Sequence, residues 1–101
     1  MNKDEIQKKL IEAIKANPYK DEIRKVSLFG SFVYGDPKED SDVDVLIEFE
    51  PEASVGLFKF VRIQRAFSEF IGKKVDLLTP EALSQYFRDE VLANAKTIYE
   101  K

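Results

Sequence analysis

The chain has neither cysteine nor histidine among its 101 residues. Their absence removes disulfides, thiolate nucleophiles, imidazole bases and zinc sites of the usual kind. A metal bound here has to be held by oxygen, which selects Mg²⁺ or Mn²⁺. A basic surplus is missing too. Sixteen Lys and Arg face nineteen Asp and Glu, for a net charge of -3. Broad binding of long nucleic acid needs a basic face that releases counterions, so it is not expected. No apolar run approaches the roughly 20 residues of a membrane span. The opening "MNKDEIQKKL" lacks the apolar segment and small-residue cleavage site of a secretory leader. The expectation is a cytoplasmic protein with no membrane partner.

What is present fits a folded protein. Hydrophobic residues make up 44% and charged residues 35%, with eight Phe. That is enough apolar surface to offset chain entropy, and the length fits a single domain over 1–101. Ile6, Leu10, Ala13 and Ile14 recur at helical spacing and predict a helix over 3–16, stopped by Asn17-Pro18. "RKVSLF", 24–29, reads as a strand that Gly30 ends, followed by a short helix over 31–35. "GDPKEDS" is a loop with Gly35, Asp36 and Pro37 as turn residues. The clearest strand is 42–50. Val43, Val45, Ile47 and Phe49 claim one face, leaving Asp42, Asp44, Leu46, Glu48 and Glu50 on the other.

A long helix is expected over 55–71, with Leu57, Phe60, Val61, Phe67, Phe70 and Ile71 as its buried stripe and Gly72 as its cap. "KKVDLLT", 73–79, predicts a third strand with Lys74, Asp76 and Leu78 off the core face. Thr79-Pro80 reads as an N-cap with Pro at the first helical position. One or two helical segments then reach about residue 95, and "TIYE" is a candidate last strand. The fold class is α+β: a small mixed sheet with helices packed on one face, its other face open for a ligand.

Asp42 and Asp44 are two apart on a strand, so both carboxylates project to one side. Without a counter-charge, their repulsion raises a pKa, and a divalent cation relieves it. If the second and third strands are neighbours, Asp76 completes a three-carboxylate cluster. Such a cluster can hold two metals roughly 3.5–4 Å apart. Gly30 permits close approach of the backbone to a ligand, the N–H groups of the following turn favour phosphate, and the Ser31 hydroxyl adds a donor. Phosphates and metals meeting over one sheet edge are what in-line nucleotidyl transfer requires. Each part taken alone has a plainer reading. Asp40 and Asp42 make an overlapping pair, with Asp40 belonging to the solvated loop, and a lone Gly-Ser is usually a turn. The aromatics Phe58, Tyr86, Phe87 and Tyr99 could meet a partner, although completing the core is the readier expectation.

"GSFVYGDPKEDSDVDVLIEF", "KKVDLLTPEAL" and the closing "YFRDEVLANAKTIYE" together resemble the minimal nucleotidyltransferase (MNT) family. This is the smallest branch of the DNA polymerase β-like nucleotidyltransferases. The resemblance implies that fold, with Gly30 and Ser31 on the triphosphate and Asp42, Asp44 and Asp76 as metal ligands and catalytic residues. It makes Asp76 the base or orienter for an incoming hydroxyl. Two Mg²⁺ ions (or Mn²⁺) would be the cofactors and ATP the substrate. It also implies a partner, a helical HEPN-domain ribonuclease toxin that the protein neutralises as antitoxin by moving AMP onto a toxin tyrosine. The chain departs from the family's Gly-Ser-x-Ala-Arg-Gly at Val33 and Tyr34, where Tyr34 replaces an arginine. Two alternatives stay open: neutralisation by occlusion without catalysis, and transfer to a small molecule.

Overall fold

A computed structural model describes residues 2–35 and 41–101. The expected loop over 36–40, including Asp40, and the side chain of Tyr34 lie outside the described residues.

Helix α1 spans Lys3–Ala16. The Asn2 side chain caps it by accepting from the Glu5 N–H at 2.8 Å. Asn17 closes it, and its side chain accepts from the Tyr19 N–H at 2.9 Å to turn the chain. A 3-10 turn over Lys20–Glu22 leads into β1, Ile23–Phe29. Helix α2 is the single turn Ser31–Tyr34, and strand β2 is Val43–Phe49. Helix α3, Leu57–Ile71, ends at Gly72 with φ 81°, the left-handed cap that glycine adopts without steric cost. Strand β3 is Val75–Leu78, a 3-10 turn follows over Pro80–Ala82, α4 is Arg88–Asn94 and β4 is Lys96–Glu100.

The strands form one mixed sheet in the order β3-β2-β1-β4. β1 runs antiparallel to β2 and β4, whereas β2 and β3 are parallel. Helix α3 makes the crossover that a parallel pair requires. Helices α1 and α3 pack together over one face. Ile6, Leu10 and Ile14 of α1 and Ile63, Phe67 and Ile71 of α3 meet Val26, Leu28, Val43, Val45, Ile47, Val75 and Leu77 of the sheet.

Several expectations need correction. The buried stripe of α3 is Ile63, Phe67 and Ile71, with Phe60 edge-on to Phe49 at 6.4 Å. Leu57, Val61 and Phe70 are exposed instead. Arg62, Arg65 and Glu69 mark the outward side of the helix, Ile63 lies opposite them although the expected stripe omitted it, and packing against α1 and β3 leaves Leu57, Val61 and Phe70 at the margins. Leu46 lies on the face opposite the core yet is only 3% exposed. The segment after β3 packs its 3-10 turn against β2, and Leu83 is buried as well. Thr79 precedes a 3-10 turn rather than an α-helix and makes no side-chain cap. Phe58, Tyr86 and Phe87 do not complete the core, being 85%, 90% and 49% exposed. Tyr99 does pack against it.

One hydrogen bond ties α3 to the start of β3: Ser68 Oγ accepts from the Val75 N–H at 3.0 Å. Replacing Ser68 by Ala leaves that N–H without its acceptor one residue from Asp76. Ser68→Ala should destabilise the fold by about 1–3 kcal/mol in denaturant titrations; an unchanged midpoint would show that water replaces the hydroxyl freely.

Candidate active site

The alternation of β2 decides the position of Asp44. Val43, Val45 and Ile47 are fully buried, so Asp44 between them points to the opposite face. The same holds on β3, where Val75 and Leu77 enter the core and Asp76 is turned out. The parallel register pairs Asp44 directly with Asp76. Their backbones are therefore neighbours in the ladder, at the roughly 4.8 Å spacing of paired strands. Asp42 immediately precedes β2, and the adjacent Val43 N–H donates to the Lys74 carbonyl at 2.9 Å.

From the other side β1 brings Gly30. Its preceding residue, Phe29, is in register with Asp44. Gly30 has φ 74° and ψ -148°, a region that residues with a side chain rarely enter. A Cβ built there would overlap the Asp44 carboxylate. Glycine is thus required twice at this position, by the backbone angle and by the approach of Asp44. Ser31 follows as the first residue of α2. In that single turn the Val33 N–H bonds the Gly30 carbonyl at 3.0 Å. The N–H groups of Ser31 and Phe32 belong to the first turn, where a helix supplies no acceptor. Phe32, 3% exposed, anchors the turn in the core.

The charges are uneven. Asp42 and Asp76 are exposed and Asp44 is intermediate. Burial pushes the Asp44 pKa up from the usual 3.8, and the negative charges of Asp76 and then Asp42 push it further the same way. Lys74 Nζ lies 3.8 Å from Asp42 Oδ2, with both groups largely in solvent. Such an exposed pair contributes little to stability. Lys74 shares the outward face of its strand with Asp76, a signal visible in the alternation but not read as part of the site.

The expected residues are therefore partly gathered. Gly30 touches Asp44, Asp44 adjoins Asp76, and Asp42 acts on Asp44 through its charge. Among the described residues, no three carboxylates form a group that could hold a metal ion as they stand. The donor chemistry still fits a hard divalent cation. It consists of oxygen alone, and Asp76 and Asp42 bring negative charge to bear on Asp44.

Comparison with known proteins bears on this geometry. The sequence profile of the family described as nucleotidyltransferase domain matches residues 7–98. A candidate protein adenylyltransferase of Methanocaldococcus jannaschii is 35% identical over 95 residues, which cover 94% of this chain and 96% of that protein. The protein adenylyltransferase MntA of Thermococcus cleftensis is 39% identical over 70 residues, 69% of each chain. A chain from the solved complex of a tri-AMPylated Shewanella oneidensis HEPN toxin with MNT antitoxin has a TM-score of 0.67 at 15% identity. That match covers 98% of this chain and 73% of the other, and at such identity it shows a shared fold alone.

Two outcomes follow from the geometry. Gly30→Ala should cost about 1–3 kcal/mol from its backbone angle and displace Asp44 in addition; a variant as stable as the parent would contradict the close approach. The second concerns pH. Because the folded pKa of Asp44 lies above its unfolded value, the residue opposes folding once pH rises past 3.8. Below that value it is protonated in both states and the penalty vanishes. Metal-free Asp44→Asn should therefore melt at higher temperature than the parent at pH 7, with the gain shrinking as pH falls toward 3.8 and gone below it. Calorimetry at both pH values decides this, and equal melting at pH 7 would refute it.

Proposed function

The chain belongs to the nucleotidyltransferase domain family, and we propose that it transfers AMP from ATP to a hydroxyl of a HEPN-domain toxin, acting as antitoxin. The observation that carries the reading is the in-register pairing of Asp44 with Asp76 beside a glycine that only fits because it has no side chain. The names of the two relatives support a protein acceptor and AMP as the transferred group. The AMPylated HEPN toxin in the fold-sharing complex supports the class of partner.

In this reading the Gly30-Ser31 turn receives the ATP phosphates, through first-turn N–H groups and the Ser31 hydroxyl. Asp42, Asp44 and Asp76 would hold Mg²⁺, which supplies positive charge to the phosphates and to the attacking oxygen. Asp76 orients the acceptor hydroxyl and accepts its proton. A tyrosine oxygen bonds to the α-phosphorus, the bond from that phosphorus to the bridging oxygen breaks, and pyrophosphate leaves with the electron pair. The protein contributes orientation and charge rather than a covalent intermediate. No helix among the described residues is long and apolar enough to cross a membrane.

The test uses α-³²P-ATP, Mg²⁺ and a HEPN-domain toxin as the acceptor protein. The parent should label that protein on tyrosine, and Asp42→Asn with Asp44→Asn should lower the rate by about 100-fold or more. EDTA should abolish the labelling. No label from the parent, or equal label from the double variant, would sink the proposal. Neutralisation that survives the double variant would instead point to occlusion.

A further inference from the structure

Helix α3 has one flank with no use in the core. Leu57, Val61, Gln64 and Ser68 recur at helical spacing on that flank, and the Ser68–Val75 hydrogen bond turns it toward β3. Leu57 is 74% exposed, and Val61 is exposed as well. On the adjoining outer face stands Phe58, 85% exposed. Between this flank and the end of β3 lies a cleft of about 310 Å³. Its walls are mostly apolar, with Val55, Leu57, Phe60, Leu77, Leu78 and Ala82 among them. A helix turn that exposes Leu, Phe and Val beside an apolar cleft is unlike a solvated helix face.

Two cations stand on the outer face of the helix. Arg65 lies on the same outer face as Phe58, and so does Arg62, which donates to the Tyr19 hydroxyl at 3.5 Å. Neither guanidinium forms an ion pair among the described residues, although Glu69 sits one turn beyond Arg65. Lys59, by contrast, is engaged at the opposite flank, donating to Glu22 at 2.9 Å with its ammonium 5.1 Å from the Tyr19 ring centre. Exposed aromatic side chains and arginines are enriched in protein interfaces, and arginine at their hot spots.

Position connects the patch to chemistry. Leu78 lines the cleft and shares a strand face with Asp76, two residues and about 7 Å along the strand. β3 is an edge strand of the sheet, so a protein that fills the cleft and wraps this edge reaches from α3 to Asp76 on the opposite face. We propose that the α3–β3 patch docks the protein that carries the acceptor hydroxyl, through a face with an apolar centre and an acidic rim. A small ligand could fill the cleft but would leave Phe58 and Val61 bare. The inference rests on the protein-acceptor reading given above, and deepens it by naming the surface that presents the acceptor to Asp76.

The experiment compares the parent with Phe58→Ala and with the pair Arg62→Glu plus Arg65→Glu. All three are titrated with the HEPN-domain protein and with ATP, and melted. Phe58→Ala and the charge reversal should each weaken partner binding by about tenfold or more. The KM for the partner should rise in step, while ATP affinity, kcat at saturating partner and melting temperature stay at the parent's values. Acidic-to-basic substitutions on the partner's rim should restore binding to the charge-reversed chain. If the parent transfers AMP and both variants keep its KM for the partner, the docking surface is wrong and the function stands. If the parent binds through Phe58 but transfers nothing, the surface stands and the transfer is wrong. A parent that neither binds nor labels the partner overturns both. Loss of ATP affinity in the variants assigns the patch to the nucleotide, and loss of a parent homodimer assigns it to a second copy; either result overturns the proposal.

Discussion

Val43, Val45 and Ile47 are wholly buried, and because side chains alternate along a strand, Asp44 between them has no choice of face. The rest of the site is arranged around that carboxylate. β1 must end next to it at Gly30, since any larger residue would occupy the same space. β3 must start next to it, since the parallel register aligns Asp76 with Asp44. The register in turn depends on the crossover: α3 buries Ile63, Phe67 and Ile71, stops at Gly72 and hands the Val75 N–H to Ser68. A slip of one residue in β3 would send Asp76 into the core and Val75 into water.

The cost of this arrangement is electrostatic. Like charges are held together on a partly buried surface, and the Asp44 pKa rises in response. The fold tolerates that because the core beneath it is closed by two helices, so a local penalty stays a small part of the total. Sites tuned for charged ligands often oppose folding in this way, and the opposition ends when the ligand arrives. Lys74 offers only a weak and solvated counter-charge to Asp42.

Strand character at 42–50, helix character at 3–16 and the open-face placement of Asp44 and Asp76 were legible in the sequence, because a period of two or of 3.6 is a local property. The margins of the buried stripe on α3 were not. Arg62, Arg65 and Glu69 mark its outward side, but Leu57, Val61 and Phe70 lie at the edges of that side, where only the packing of neighbouring elements decides burial. Leu46 shows the same limit in reverse. Its strand face is open near Asp44 and covered further along, where the segment after β3 folds back. The aromatics Phe58, Tyr86 and Phe87 misled for a related reason. Their size favours burial on average, but each sits at a helix start or in a connecting turn, where no neighbouring element closes over it.

The sequence by itself determined which residues could take part in chemistry. Without cysteine or histidine only oxygen donors remain, and alternation assigned Asp44 and Asp76 to the side away from the core. Only the tertiary structure decided that these residues adjoin. The neighbourhood of β2 and β3, their parallel register and the contact of Gly30 with Asp44 come from strand order and crossover packing. Those depend on contacts between residues well separated in the chain, and no local pattern encodes them.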